Sequence, residues 1–194
     1  MNHFFALELS KEAQRTVWEV ADEWKHQLIP ASWYDAADYH ITLKFLGNLD
    51  EAEQPRLITA ALPLAAEAKP FTVQAARFGG FPDMIAPSVL WAGVQISPEL
   101  DLLSTHLDAA MAVLGFRADR RRYQPHITVA RCRLRTSHSS AWPLPSERLF
   151  VPFTVDRFVL MQTLPPESRA NGGKARYNTV HTFPFGDGQI SKVS

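Results

Sequence analysis

Tyr39-His40-Ile41-Thr42-Leu43-Lys44-Phe45 and Pro125-His126-Ile127-Thr128-Val129-Ala130-Arg131 are two versions of one pattern. Each holds a His-x-Thr tripeptide in a run that alternates polar and apolar residues. Alternation of this kind is the mark of a half-buried β-strand, whose successive side chains point to opposite faces. His40 and Thr42 therefore share one face and Ile41 and Leu43 the other, and His126 and Thr128 stand to Ile127 and Val129 in the same relation. A His near a Thr on a strand is ordinarily just a solvated pair. Two copies in one chain ask for a common cause.

The surroundings repeat as well. The two histidines are 86 residues apart, and moving the first apolar strand by that interval brings it onto Ser88 to Gln95. The same shift carries Ser10, a helix N-cap, close to Ser97-Pro98, which combines a capping residue with proline at the first helical position. After Ser10, Ala13, Val17, Val20, Ala21, Trp24 and Leu28 recur at helical spacing, and Pro30 ends that run. After Ser97, Leu100, Leu103, Leu107, Met111 and Leu114 do the same until Gly115. Strand, helix and His-x-Thr strand thus occur twice in register. Two copies suit a pair of lobes about an approximate two-fold axis, since a solenoid needs three or more repeats.

Between and after these units, the sequence predicts an extended Ser32 to Tyr34 and a helix from about Asp50 to Lys69 that contains Pro55 and Pro63. A strand from Phe71 to Phe78 follows, then a Gly79-Gly80 loop. Arg135 to Arg148 reads as a surface loop, Phe153 to Gln162 and Tyr177 to Phe183 as closing strands, and Pro165 to Lys174, with Gly172-Gly173, as a polar loop between them. The expected architecture is one two-lobed α+β domain over residues 1–194, with a central cleft lined by both His-x-Thr faces.

The totals narrow the chemistry. Twenty basic and twenty acidic residues give zero formal charge, so no all-over positive field holds nucleic acid and only a local patch would. Arg117, Arg120, Arg121, Arg122, Arg131, Arg133 and Arg135 cluster around the second motif, where such a run is either a solvated face or a candidate patch for a nucleic-acid backbone. Cys132 is the only cysteine, which excludes an intramolecular disulfide and a Cys-based zinc site. No apolar run approaches a membrane span, and Met1-Asn2-His3-Phe4-Phe5 lacks a signal-peptide core, so a cytoplasmic location is expected.

Two histidines across a cleft supply what in-line phosphoryl displacement needs. One takes a proton from the attacking water and the other gives one to the leaving oxygen. A threonine hydroxyl beside each can hydrogen-bond a non-bridging phosphate oxygen. The histidines show no metal-ligand spacing, so the expectation is acid–base catalysis without metal or cofactor. His3, His26, His106, His138 and His181 have no His-x-Thr partner and read as structural.

With Phe4-Phe5-Ala6-Leu7, Lys44-Phe45-Leu46-Gly47 and Val89-Leu90-Trp91, the two motifs resemble the two-histidine phosphoesterase superfamily, in its RNA 2′,3′-cyclic phosphodiesterase branch, also called 2′-5′ RNA ligase. The resemblance covers nearly the whole chain. It implies two antiparallel sheets lining a groove and hydrolysis of an RNA 2′,3′-cyclic phosphate end to a 2′-phosphate, with 2′-5′ joining as a minor reverse reaction. It makes His126 the proton acceptor and His40 the proton donor. It places Arg131 on the phosphate and Phe45 on the terminal base, a role open to any aromatic face. Both lie five residues beyond their histidine, where strict alternation points them away from the cleft, so a bulge or twist is required. A core position for Phe45 and a surface position for Arg131 are the plainer readings. The expected partner is RNA with a cyclic phosphate end, bound by a monomer. The alternatives are an RNA- or nucleotide-binding module without turnover, and a phosphodiesterase for small cyclic nucleotides or 2′-5′ oligonucleotides.

Overall fold

The computed structural model describes residues 1–27, 31–132, 150–165 and 176–186. Its elements follow in order: β1 (Asn2–Glu8), α1 (Lys11–Gln27), β2 (Ala31–Trp33), β3 (His40–Asn48), α2 (Gln54–Glu67), β4 (Phe71–Val73), β5 (Ala75–Phe81), β6 (Val89–Val94), α3 (Pro98–Val113), β7 (His126–Cys132), β8 (Phe153–Val155), β9 (Arg157–Thr163) and β10 (Tyr177–Pro184). Pro30, Arg133, the 135–148 loop, Pro166 to Lys174 and His138 lie outside the described residues.

Both N-caps sit where the repeat places them. The Ser10 hydroxyl accepts from Ala13 N at 3.1 Å, and that of Ser97 from Leu100 N at 3.2 Å. Each bond satisfies one of the donors that a helix start leaves unpaired. The expected Asp50 to Lys69 helix is shorter, with a 3-10 turn over Glu51–Glu53 ahead of α2, because Pro55 belongs in a first turn, where its missing N–H costs nothing.

All strand pairs are antiparallel, and one large sheet runs β10-β9-β1-β3-β7-β6-β5, with β2 also on β7. This refines the expected pair of sheets. The halves β10-β9-β1-β3 and β2/β7-β6-β5 meet at a joint where, among the described residues, one pair is in register, Ile41 opposite Ile127. These are equivalent residues of the two repeats, so the pseudo-two-fold axis passes between them.

Two readings are corrected. The predicted strand from Phe71 divides into β4 and β5, and that from Phe153 into β8 and β9. The short pieces β4 and β8 pair with one another in a second sheet, Thr72 opposite Thr154. Gly79-Gly80 is no loop: both residues lie inside β5, where Gly79 is opposite Trp91. A methyl group at Gly79 would overlap the indole ring, so the glycine is kept for space. The repeats also exchange strands. β5, which ends the first repeat, pairs with β6 of the second, and β9, which ends the second, pairs with β1 of the first.

The apolar faces of β3 and β7 pack on the helices. Ile41, Leu43, Ile127 and Val129 join Val17 and Trp24 of α1, Leu57 and Ala61 of α2, and Leu100 and Leu107 of α3 in one connected buried cluster. Ile41 and Ile127 are fully buried, worth about 1.5–3 kcal/mol each. That burial fixes which face of each strand is left for the cleft, because a one-residue slip would exchange the two faces.

Candidate active site

The antiparallel register at the joint decides how the four motif side chains meet. With Ile41 opposite Ile127, His40 lies on the side of Thr128 and Thr42 on the side of His126. Each histidine therefore stands beside the threonine of the other repeat as well as its own. In a ladder of this register, diagonal residues such as His40 and His126 lie about 7–8 Å apart, with their Cβ atoms somewhat closer.

Each ring is held in the same way. His40 Nδ1 is 2.8 Å from the Asp38 carbonyl, and His126 Nδ1 is 2.8 Å from the Gln124 carbonyl. A carbonyl only accepts, so Nδ1 carries the hydrogen in each neutral ring and Nε2 is left as the basic nitrogen. The His40 ring stacks on Phe4 at 4.8 Å and meets Tyr177 edge-on at 4.8 Å. His126 is edge-on to Phe81 at 5.0 Å, beside Trp91.

These surroundings make the two histidines unequal. Burial lowers the His40 pKa from 6.5 to about 4; the bond to Asp38 opposes the shift, and the charge of His126 adds to it. His126 is less enclosed, and its pKa is also lowered, by burial first and then by the positive charge of Arg131, against the bond to Gln124. Both shifts favour the neutral form.

Phe45 and Arg131 are where alternation fails, and the cause is a pair of equivalent bulges. On β3, Thr42 is opposite Ala6 while Lys44 is opposite Phe5, which leaves Leu43 as the extra residue. On β7, Thr128 is opposite Trp91 while Ala130 is opposite Leu90, which leaves Val129 as the extra residue. A bulge reverses the facing of everything beyond it, so Phe45 and Arg131 return to the His-x-Thr face. Phe45 is 57% exposed, which rules out the core position. The carbonyls that the bulges release are satisfied: Ser104 Oγ donates to Leu43 O at 3.0 Å, and Tyr34 N to Val129 O at 3.0 Å.

Sequence reasoning missed a belt of residues around this square. Arg131 Nε donates to Tyr34 Oη at 3.0 Å, and the Arg176 guanidinium lies over the Tyr34 ring at 4.1 Å. Arg176 also donates from its backbone N to Asp38 at 2.8 Å and from its side chain to the Trp33 carbonyl. The 31–38 segment thereby clamps β10 of one lobe to β7 of the other, and Asp38 is the residue whose carbonyl orients His40. A second tie starts at Lys44, which is buried and donates to Asp108, to Asp119 at 3.0 Å and to the Arg117 carbonyl at 2.8 Å. Tyr123 Oη donates to the Thr42 carbonyl at 2.9 Å. Together they fasten the segment leading into His126 to the strand that carries His40.

Of the arginine run, Arg117 and Arg120 to Arg122 lie on that fastened segment and are exposed, while Arg133 and Arg135 fall outside the described residues. Among the described residues, no three His, Cys, Asp or Glu side chains are grouped as a metal ion would need, and no helix is long and apolar enough to cross a membrane.

Comparison with known proteins agrees with this geometry. The profile of the 2′-5′ RNA ligase superfamily matches residues 13–166. A Geobacillus stearothermophilus protein named RNA 2′,3′-cyclic phosphodiesterase is 35% identical over 95% of this chain, and the chain spans 57% of that relative's length. A Bacillus subtilis protein of the same name is 33% identical over 67% of this chain and 70% of its own. Among solved structures, a Thermus thermophilus protein superposes with TM-score 0.78, covering 96% of this chain and 98% of its own at 23% identity. Escherichia coli LigT in complex with 3′-AMP superposes with TM-score 0.72, covering 95% and 97%, also at 23% identity. By its sequence profile and relatives, with the fold in agreement, the chain belongs to the 2′-5′ RNA ligase superfamily.

Proposed function

We propose that this protein hydrolyses the 2′,3′-cyclic phosphate end of RNA to a 2′-phosphate by metal-independent acid–base catalysis. The observation that carries the reading is the pair of imidazoles, each tied through Nδ1 to a carbonyl, standing on one face across the Ile41–Ile127 joint. The relatives' shared name supplies the substrate class.

His126 is the base. It lines the open groove from which water enters, and its lowered pKa keeps it neutral at physiological pH. His40 is the acid, because the leaving 3′ oxygen stays tethered to the ribose and suits the enclosed histidine beneath Phe4 and Tyr177. Water gives its proton to His126 Nε2 as its oxygen bonds to phosphorus. The P–O3′ bond breaks, and O3′ takes a proton from His40 Nε2. Thr42 and Thr128 bind the non-bridging oxygens, Arg131 balances the phosphate charge, and exposed Phe45 stacks on the terminal base. The whole chain acts as one two-lobed domain and as a monomer, since both repeats of one chain complete the site, and it works in the cytoplasm. Joining through a 2′-5′ bond is a minor activity of the same site, with a 5′-hydroxyl in the place of water.

The test is a short RNA with a 2′,3′-cyclic phosphate end, incubated with the protein in excess EDTA and followed by phosphorus NMR. A 2′-phosphate product is expected. A 3′-phosphate product, or no turnover without added metal, overturns the reading.

A further inference from the structure

Two features of β7, its bulge and the arginine beyond it, meet at Tyr34. The Tyr34 backbone N donates to the carbonyl of Val129, the bulged residue, at 3.0 Å. The Tyr34 hydroxyl accepts from Arg131 Nε at 3.0 Å. The equivalent bulge on β3 is built differently. There the Ser104 hydroxyl of α3 meets the Leu43 carbonyl, and the residue turned toward the cleft is the uncharged Phe45. One residue thus serves both the bulge and the charge that the bulge delivers, and it does so in the repeat that carries that charge.

The anchor is itself fixed. Tyr34 is buried, its ring lies under the Arg176 guanidinium at 4.1 Å, and its hydroxyl also accepts from Tyr177. Two lone pairs take two donors, so the oxygen is fully used as an acceptor. Packing alone would be served by phenylalanine, so the hydroxyl calls for a separate reason. Arg131, by contrast, is exposed, and among the described residues its head group makes one hydrogen bond, to Tyr34. An exposed arginine without such a bond samples many rotamers and has to be ordered each time a ligand binds. Held through Nε, the guanidinium keeps its plane and leaves both Nη groups for two oxygens of one phosphate.

We infer that Tyr34 is a positioning residue for the reaction, holding the Arg131 guanidinium ready for the phosphate before substrate arrives. The inference rests on the function proposed above and adds a task for a residue outside both His-x-Thr motifs. The way Tyr34 acts decides where its loss appears. The phosphate charge that Arg131 meets is present in the bound substrate as well as in the transition state. An arginine that has to be ordered anew weakens both alike, which raises KM and leaves kcat nearly unchanged.

The experiment measures kcat and KM for a mononucleotide 2′,3′-cyclic phosphate in EDTA, and NMR relaxation of the Arg131 Nε–H group in the free protein. Tyr34→Phe keeps the ring, its contact with Arg176 and the backbone bond to Val129, and deletes only the hydroxyl. KM should rise about three- to tenfold, the cost of ordering one flexible side chain on binding, with kcat within about twofold. In an Arg131→Met background the same change should alter KM by less than about twofold, since nothing is left to position. The Nε–H order parameter should lie near the rigid value of about 0.85 in the unmodified protein and fall below about 0.6 in Tyr34→Phe. An unchanged KM in Tyr34→Phe overturns the inference. An equal rise in KM with and without Arg131 does so too, because Tyr34 would then act through the fold alone. A mobile Arg131 Nε–H in the unmodified protein also overturns it, and that result needs no variant to fold. Failure of the unmodified protein to turn over the cyclic phosphate would instead sink the proposed function, while the relaxation measurement would still judge the anchor.

Discussion

His40 has to carry a proton to act as an acid, yet burial lowers its pKa to about 4. At pH 7 that leaves only about one free molecule in a thousand with His40 charged. The bound substrate must restore the proton. A single phosphate charge about 4 Å away, at an effective dielectric constant near 20, is worth about 4 kcal/mol. That corresponds to about three pKa units and brings His40 to about 7. The slowed variant His126→Ala allows a direct test, because a 2′,3′-cyclic nucleotide is turned over about 10²- to 10⁴-fold more slowly in its site and remains a monoanion over the whole titration. NMR titration of the His40 imidazole in this variant should give a value somewhat above 4 without nucleotide, since the charge of His126 no longer lowers it. With nucleotide bound, the value should lie near 7. Linkage gives the companion sign: binding takes up a proton, so affinity is flat above about pH 7 and strengthens about tenfold per unit as the pH falls toward 4. A His40 pKa near 6.5 in the free protein would refute the reasoning. So would a bound value still below about 5.

Other consequences follow from the same contacts. A histidine whose folded pKa is depressed stabilises the fold fully above its unfolded value and loses that contribution as the pH falls through the folded one. His40 should therefore cost on the order of 3 kcal/mol of stability between pH 6.5 and 4, and denaturation of His40→Phe should lack that part of the acid limb. Asp108→Asn should destabilise by about 3 kcal/mol, because Lys44, with its side chain 1% exposed, loses a charged partner. Asp119→Asn should cost below about 1 kcal/mol, because that carboxylate is 68% exposed; equal losses in urea unfolding would contradict the ranking. Gly79→Ala should cost about 1–3 kcal/mol by overpacking against Trp91, with a shift in tryptophan fluorescence. An unchanged melt and spectrum would show that the ring does not need that space.

The site was more legible in the chain than the fold around it. Two His-x-Thr runs 86 residues apart announced both the strands and their symmetry, because alternation and repetition survive in sequence. Alternation could not show the bulges, which add one residue to a strand without any marker, so Phe45 and Arg131 needed the register at Leu43 and Val129 to face the cleft. A second repeat lies outside that interval. Phe71-Thr72-Val73 and Phe153-Thr154-Val155 are identical, but their spacing of 82 residues breaks the interval set by the histidines. Gly79-Gly80 read as a loop because glycine weakens strands, and only the position of Trp91 explains why glycine stands there. The ties through Lys44, Asp108 and Asp119, and through Tyr34, Asp38 and Arg176, join residues distant in the chain. No local pattern marks such pairs.

The division of labour between the two histidines is most directly tested with a 2′,3′-cyclic phosphate in which sulfur replaces the 3′ bridging oxygen. Sulfur leaves without a proton, so it needs no general acid. With the ordinary oxygen substrate, His40→Ala and His126→Ala should each lose about 10²- to 10⁴-fold in rate. With the sulfur substrate, His40→Ala should recover to within about tenfold of the unmodified protein, while His126→Ala stays inactive. Recovery of His126→Ala in place of His40→Ala would contradict the assignment of base and acid, and recovery of neither would contradict proton donation to O3′ itself.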